Sequence, residues 1–100
     1  MNEIVGKFPL GQLSVSAGAK TALKDANQEP WGFLARHLIG KWGAVSDEGW
    51  AKNDAALVEG KPVLSAYETS KGVRFVVIST GDRSETWVLL ETEYRDVEGS

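Results

Sequence analysis

Two short stretches of this 100-residue chain hold the residue types that could do chemistry. The first, "LARHLIGKWG", contains His37, the single histidine of the chain. An unperturbed imidazole titrates near neutrality, so His37 is the side chain best suited to move a proton at physiological pH. The second, "TGDRSET", contains Asp82, Arg83, Ser84 and Thr86. A guanidinium can clamp a phosphate or carboxylate with its planar fork, and the two hydroxyls could assist. His37 as base, Arg83 as phosphate clamp and Ser84 or Thr86 as helpers would make a small ribonuclease-like or toxin-like site. Serine–histidine catalysis would instead need His37 beside Ser65, Ser79 or Ser84, with a carboxylate behind it. No metal is expected, because zinc needs three or four ligands and the chain has no cysteine and no second histidine. No phosphate loop, nucleophile elbow or zinc-protease motif occurs, so no cofactor is expected.

Each candidate also has an architectural reading. By helical angle, His37 lies at the edge of an apolar stripe beside Leu34, where a histidine often bonds backbone. Asp47 and Glu48 are adjacent, and neighbours on a helix do not face each other, so they suit a cap and the positive end of the helix dipole. Asn53 shares a face with Trp50 and Leu57, and a buried amide there needs partners. It could tie its helix to the "GKWG" turn or contact a ligand. Gly81 and Asp82 are turn formers, and Arg83 could pair with an acid.

The elements that must position these residues follow from periodicity. Residues 1–15 read as an irregular or edge strand, with Ile4, Val5, Phe8, Leu13 and Val15 turned inward and Pro9 and Gly11 interrupting. Residues 16–60 read as helical. Ser16 caps a first helix carrying Ala19, Ala22, Leu23 and Ala26, which stops at Asn27. Pro30 starts a second helix with Trp31, Leu34, Ala35 and Leu38 on one stripe, ended by Gly40. Ser46 or Asp47 caps a third helix on which Trp50, Leu57 and Val58 point one way, ended by Gly60 before Pro62. Residues 61–92 switch to period two and read as antiparallel hairpins. "PVLSAYE" puts Val63, Ser65 and Tyr67 on one face, "VRFVVIS" suits a central strand, and "TWVLLE" is a third strand. Residues 95–100 read as a frayed polar tail. The expected fold is a single α+β domain over residues 1–100: two to three N-terminal helices packed on a three- to four-stranded antiparallel meander.

Composition narrows the partners. The net charge is −3, with eleven basic and fourteen acidic residues scattered along the chain. Nucleic-acid affinity comes largely from neutralising phosphates, so nucleic acid is a disfavoured partner and a basic protein face is a better one. No apolar run approaches the roughly 18 residues that a membrane span needs. The start lacks a signal-peptide pattern, and cysteine is absent, which together point to the cytoplasm.

The segments "FPLG", "SAGA", "LARH…G.WG", "ND.AL..G", "LSAY", "G..F.VI.T.DRS.T" and "LL..EY" resemble a family of short proteins carried by bacterial plasmids, integrative elements and related mobile DNA. The resemblance runs from about Phe8 to Tyr94. It implies no activity and no functional residues, since the family is of unknown function. Lys41 stands where that family often has Asp before "WG", Trp87 where it has Thr, and "LLETEY" where it has "LLPEEY". The expectation that follows is a non-enzymatic accessory protein of mobile DNA. It would bind a protein, a host or phage defence component being the class implied. Trp42, Asn53, Tyr67, Asp82 and Arg83 are the candidate binding residues, since aromatic and Arg side chains dominate interface hot spots. Trp42 and Trp50 are both candidate anchors, and both could instead be core, a position expected more for Trp50 than for Trp42. The chain is expected as a monomer, or as a homodimer through an open edge strand near residues 86–91.

Overall fold

The computed structural model describes residues 6–98, so Ile4 and Val5 lie outside the described residues. The order of elements is β1 (Gln12–Val15), α1 (Ala17–Asp25), α2 (Trp31–Leu38), α3 (Asp47–Glu59), β2 (Val63–Glu68), β3 (Arg74–Ser79), β4 (Glu85–Leu90) and α4 (Glu91–Glu98). This is an α+β fold of four helices and one four-stranded sheet in the order β1-β4-β3-β2.

The expected meander exists in β2, β3 and β4, but the sheet is mixed. β1 pairs with β4 in parallel, Leu13 opposite Thr86 and Val15 opposite Val88. β1 meets β4 only after three helices and two strands have intervened, so no hairpin dictates its direction. The parallel direction turns Leu13 and Val15 to the helix side of the sheet, where both pack on the core. It also delivers Ser16 to the far end of β4, where its amide donates to Val88 O and its hydroxyl caps α1 at the Ala19 amide. β4 is therefore an interior strand, paired on both sides. The open edge expected near residues 86–91 is absent there; the end strands are β1 and β2.

The expected polar tail holds α4. Glu93, three residues past Leu90, turns its carboxylate back to accept from the Leu90 amide at 2.7 Å, which is one half of a capping box. The same oxygen accepts from the Ser16 hydroxyl at 2.6 Å and pins α4 to the start of α1. Arg95 and Glu91 pair one turn apart.

The helix side of the sheet carries the core in two clusters. Ala19, Leu23, Phe33 and Leu34 pack over Tyr67, Phe75, Val77 and Val88. Phe8, Leu38, Trp42, Ala56 and Val63 form the second. Each fully buried large apolar side chain contributes about 1.5–3 kcal/mol relative to exposure. β2 is closed along part of its outer edge by the chain after α2. The Ala66 amide donates to Trp42 O, and the Ala44 amide donates to Ala66 O. Gly43 sits in that contact with φ +77, and an added Cβ would strike Ala66 O and the Tyr67 ring. Only glycine fits there.

Candidate functional site

His37 faces the sheet from the last turn of α2 and is fully buried. Its Nδ1 lies 2.6 Å from Ser65 Oγ on β2, and its Nε2 lies 2.9 Å from Ser79 Oγ on β3. Ser79 Oγ is 2.7 Å from Thr86 Oγ1 on β4, and Thr86 donates to the carbonyl of Leu10 at 2.6 Å. One end of this chain fixes the rest. A carbonyl only accepts, so the Thr86 proton goes to Leu10, and Ser79 must donate to Thr86. Ser79 then accepts from Nε2–H, which leaves Nδ1 bare to accept from the Ser65 hydroxyl. The imidazole is held neutral as the Nε2–H tautomer.

The four side chains of this chain are all at 0% exposure. The imidazole is also packed between Phe8 and Trp42, with ring centroids 5.4 and 5.6 Å away. Burial, and secondarily the field of Arg83, pushes the His37 pKa down from 6.5 to about 4. The arrangement thus pairs a histidine with serines, as catalysis would, but inside the core. Both ring nitrogens are occupied and no face is open to a substrate. It acts as a polar brace between α2, three strands and the segment before β1.

Arg83 stands close to His37 without sharing an open space with it. Its guanidinium lies over the Phe8 ring, 5.0 Å from the centroid, and the same ring meets His37 at 82°. Its Nη1 donates to Lys61 O at 2.8 Å and Thr80 O at 2.9 Å, and its Nη2 donates to Ala56 O at 3.2 Å. Ala56 O belongs to the last turn of α3, so the cation also neutralises the negative end of that helix. Ser84 and Thr86 diverge: Thr86 enters the core, while Ser84 is exposed and donates to Asp82 Oδ1 at 2.7 Å. Asp82 also accepts from Thr80 and from the Ser84 amide. These hydrogen bonds, the Ser84 hydroxyl first, draw the exposed Asp82 pKa down to about 2.

The remaining sequence candidates are spent inside the fold. Trp42 is fully buried, and its indole N–H donates to Asp54 at 3.0 Å. Asn53 grips the backbone of Leu64 with both ends of its amide, donating at 2.7 Å and accepting at 3.1 Å. It therefore ties α3 to β2 rather than to the "GKWG" turn. Tyr67 donates to Lys41 O at 2.6 Å, and burial pushes its pKa up. Of the candidate catalytic and binding residues named from sequence, Asp82 and Ser84 are exposed, and they are bonded to each other.

What reaches the surface is different. Trp31, Trp50 and Trp87 are exposed, so the expected order of Trp42 and Trp50 is reversed. α3 buries Asn53 and Ala56 and turns the opposite side outward. That side carries Trp50 at 38% exposure, Ala51, Ala55 and Val58 at 89% exposure, all within one helical stripe. Asp47 and Asp54 lie on the same stripe, and Lys52 falls on another side of the helix. The sequence reading missed this face because it grouped Trp50 and Val58 with Leu57. On a helix the three span more than a right angle, and only Leu57 turns inward. A second apolar row crosses the outer side of the sheet, where the exposed Trp87 lies in register between Ser14 and the half-buried Ile78, with the half-buried Leu64 beyond. Tyr94 of α4 walls a concavity of about 270 Å³ over Leu64 and Ile78.

Among the described residues, no group of His, Cys, Asp and Glu could hold a metal ion, and no helix is long and apolar enough to cross a membrane. No family model, curated protein or solved structure matches this chain.

Proposed function

We propose that this chain is a non-enzymatic binding protein whose outward face of α3 docks on a basic, apolar surface of another protein. One observation carries the reading: Trp50, Ala51, Ala55 and Val58 form an uncovered apolar stripe whose charged members, Asp47 and Asp54, are both acidic. Small residues at 51 and 55 let a partner approach the helix closely, Trp50 and Val58 supply buried anchors, and the acids select a cationic rim. A second copy fits less well, because antiparallel pairing of two α3 faces about their centre sets Asp54 against Asp54. The resemblance to proteins of plasmids and integrative elements adds the class of partner, a host or phage protein of a defence system in the cytoplasm. The catalytic alternative has no comparable support, since His37 is sealed and Arg83 is committed to backbone carbonyls.

The test compares the wild type with an Ala55→Lys/Val58→Lys double variant as baits in host lysate. A protein retained by the first and lost from the second is then purified and titrated against both. The expected result is binding about tenfold or more weaker for the variant, and weakened by salt. Equal affinity for both baits rejects the α3 face. RNA hydrolysis by the purified chain that disappears in His37→Ala rejects the non-enzymatic reading.

A further inference from the structure

β1 is an end strand of the sheet, and its backbone groups divide between two sides. The Gln12 amide donates to Ser84 O at 2.9 Å and the Ser16 amide to Val88 O at 3.0 Å. Even-numbered residues therefore face β4. Leu13 and Val15, lying between them in the parallel register, turn their N–H and C=O groups the other way. Among the described residues no strand or loop takes those groups. Natural sheets usually blunt or cover such an edge, because it templates pairing with another chain.

A concavity of about 300 Å³ opens at the Val15 end of this edge, against α1 and the loop that follows it. Val15, Leu23 and Pro30 make its apolar floor, and Lys20 and Lys24 stand on its rim. Both lysines are exposed, and neither forms an ion pair among the described residues. Glu29 is the one acid that lines it. The spacing of the two lysines is informative. Residues four apart on a helix are about 6 Å apart along its axis, and side chains two apart on a strand are about 6.7 Å apart on one face. A strand added to β1 would thus present successive same-face side chains at the interval of Lys20 and Lys24.

We propose that the β1 edge is a strand-addition site for an extended acidic segment of another protein, of the pattern Glu-x-Glu with β-branched residues between. Its main chain pairs with Leu13 and Val15. Its glutamate stems lie over Val15 and Leu23, and their carboxylates reach Lys20 and Lys24. Self-pairing of two β1 edges is disfavoured, because it gathers four lysines at one seam. The site stands at the sheet edge opposite β2, the strand that α3 grips, and does not rest on the α3 reading.

The test uses a capped peptide of about seven residues alternating valine and glutamate, titrated into the ¹⁵N-labelled chain. The expected result is that the amides of Leu13 and Val15 gain protection from hydrogen exchange as the peptide saturates. Lys20→Glu/Lys24→Glu is expected to weaken binding by about tenfold or more, through loss of two charge pairs and their replacement by repulsion. Val58→Lys leaves this binding unchanged, which separates it from docking on α3. Three results overturn the proposal: no binding at about 1 mM peptide, far above the affinity expected of strand addition with two charge pairs; binding with no new protection at Leu13 and Val15; or protection of both amides before peptide is added, in a chain that sediments as a dimer.

Discussion

The buried imidazole makes a quantitative prediction that the rest of the chain barely disturbs. His37 is the single histidine, so between pH 7.5 and 5.5 almost no other side chain changes charge. Its pKa falls from 6.5 in the unfolded chain to about 4 in the folded one. The unfolded state therefore binds the proton more readily. The neutral ring contributes its full stability above pH 6.5, and that stability drains away as pH falls through 6.5 toward 4. Integrating the linkage between pH 7.5 and 5.5 gives a loss of about 1.3 kcal/mol. Urea unfolding followed by tryptophan fluorescence reads this directly. With a slope of about 1 kcal/mol per molar urea, the midpoint moves down by about 1.3 M across that interval. His37→Gln lowers stability at pH 7.5, because the brace between Ser65 and Ser79 is disturbed, but its midpoint stays level over the same range, so its deficit narrows toward pH 5.5. A variant as steep as the wild type, or a His37 ring that titrates near 6.5 by NMR, would refute the closed, single-tautomer chain.

Substitutions at four other positions test the rest of the fold. Asn53→Ala strands the Leu64 N–H and C=O at the sheet edge; we expect a loss of about 2 kcal/mol in urea unfolding and faster hydrogen exchange at Leu64. Arg83→Lys cannot reach three carbonyls with a single ammonium, and is expected to cost about 1.5 kcal/mol by the same assay while Arg83→Leu costs more. Gly43→Ala drives a methyl group against Ala66 O at a positive φ; a loss of about 3 kcal/mol or more should appear as a melting temperature at least about 12 °C lower. Val58→Lys touches nothing in the fold, so its unfolding midpoint should match the wild type to within about 0.5 kcal/mol.

How much of this was legible in the sequence depended on whether the deciding interaction was local. Ser16 and Ser46 cap helices through amides three residues on, and Gly60 ends α3 in the left-handed conformation; such signals lie within one turn and are readable. The alternation in "PVLSAYE" is equally local and put Val63, Ser65 and Tyr67 on the core side. The direction of β1 was not readable, because it is set by Thr86 and Val88, more than seventy residues away. Nor was α4, whose first turn depends on Glu93 reaching both Leu90 and the distant Ser16. The exposure of Trp50 failed for a related reason: a helix stripe says which residues lie together, not which side the rest of the chain covers.

The polar residues that drew attention first share one physical property. His37, Asn53, Thr86 and Arg83 each cross a junction where two elements meet without continuous backbone pairing. His37 and Thr86 join α2 and the segment before β1 to the strands; Asn53 joins α3 to β2; Arg83 joins the end of α3 to the turn before β4. Apolar packing alone is non-directional and would let those junctions slide. Fully satisfied hydrogen bonds in a dry interior fix them, and among the described residues no buried side-chain nitrogen or oxygen lacks a partner. A residue type suited to catalysis is thus equally suited to setting register. Burial separates the two uses for His37, Asn53 and Thr86, while the half-buried Arg83 is held by three backbone carbonyls. The two surfaces proposed to meet another molecule are made of less conspicuous residues: the Trp50–Val58 side of α3, and the β1 edge with Lys20 and Lys24.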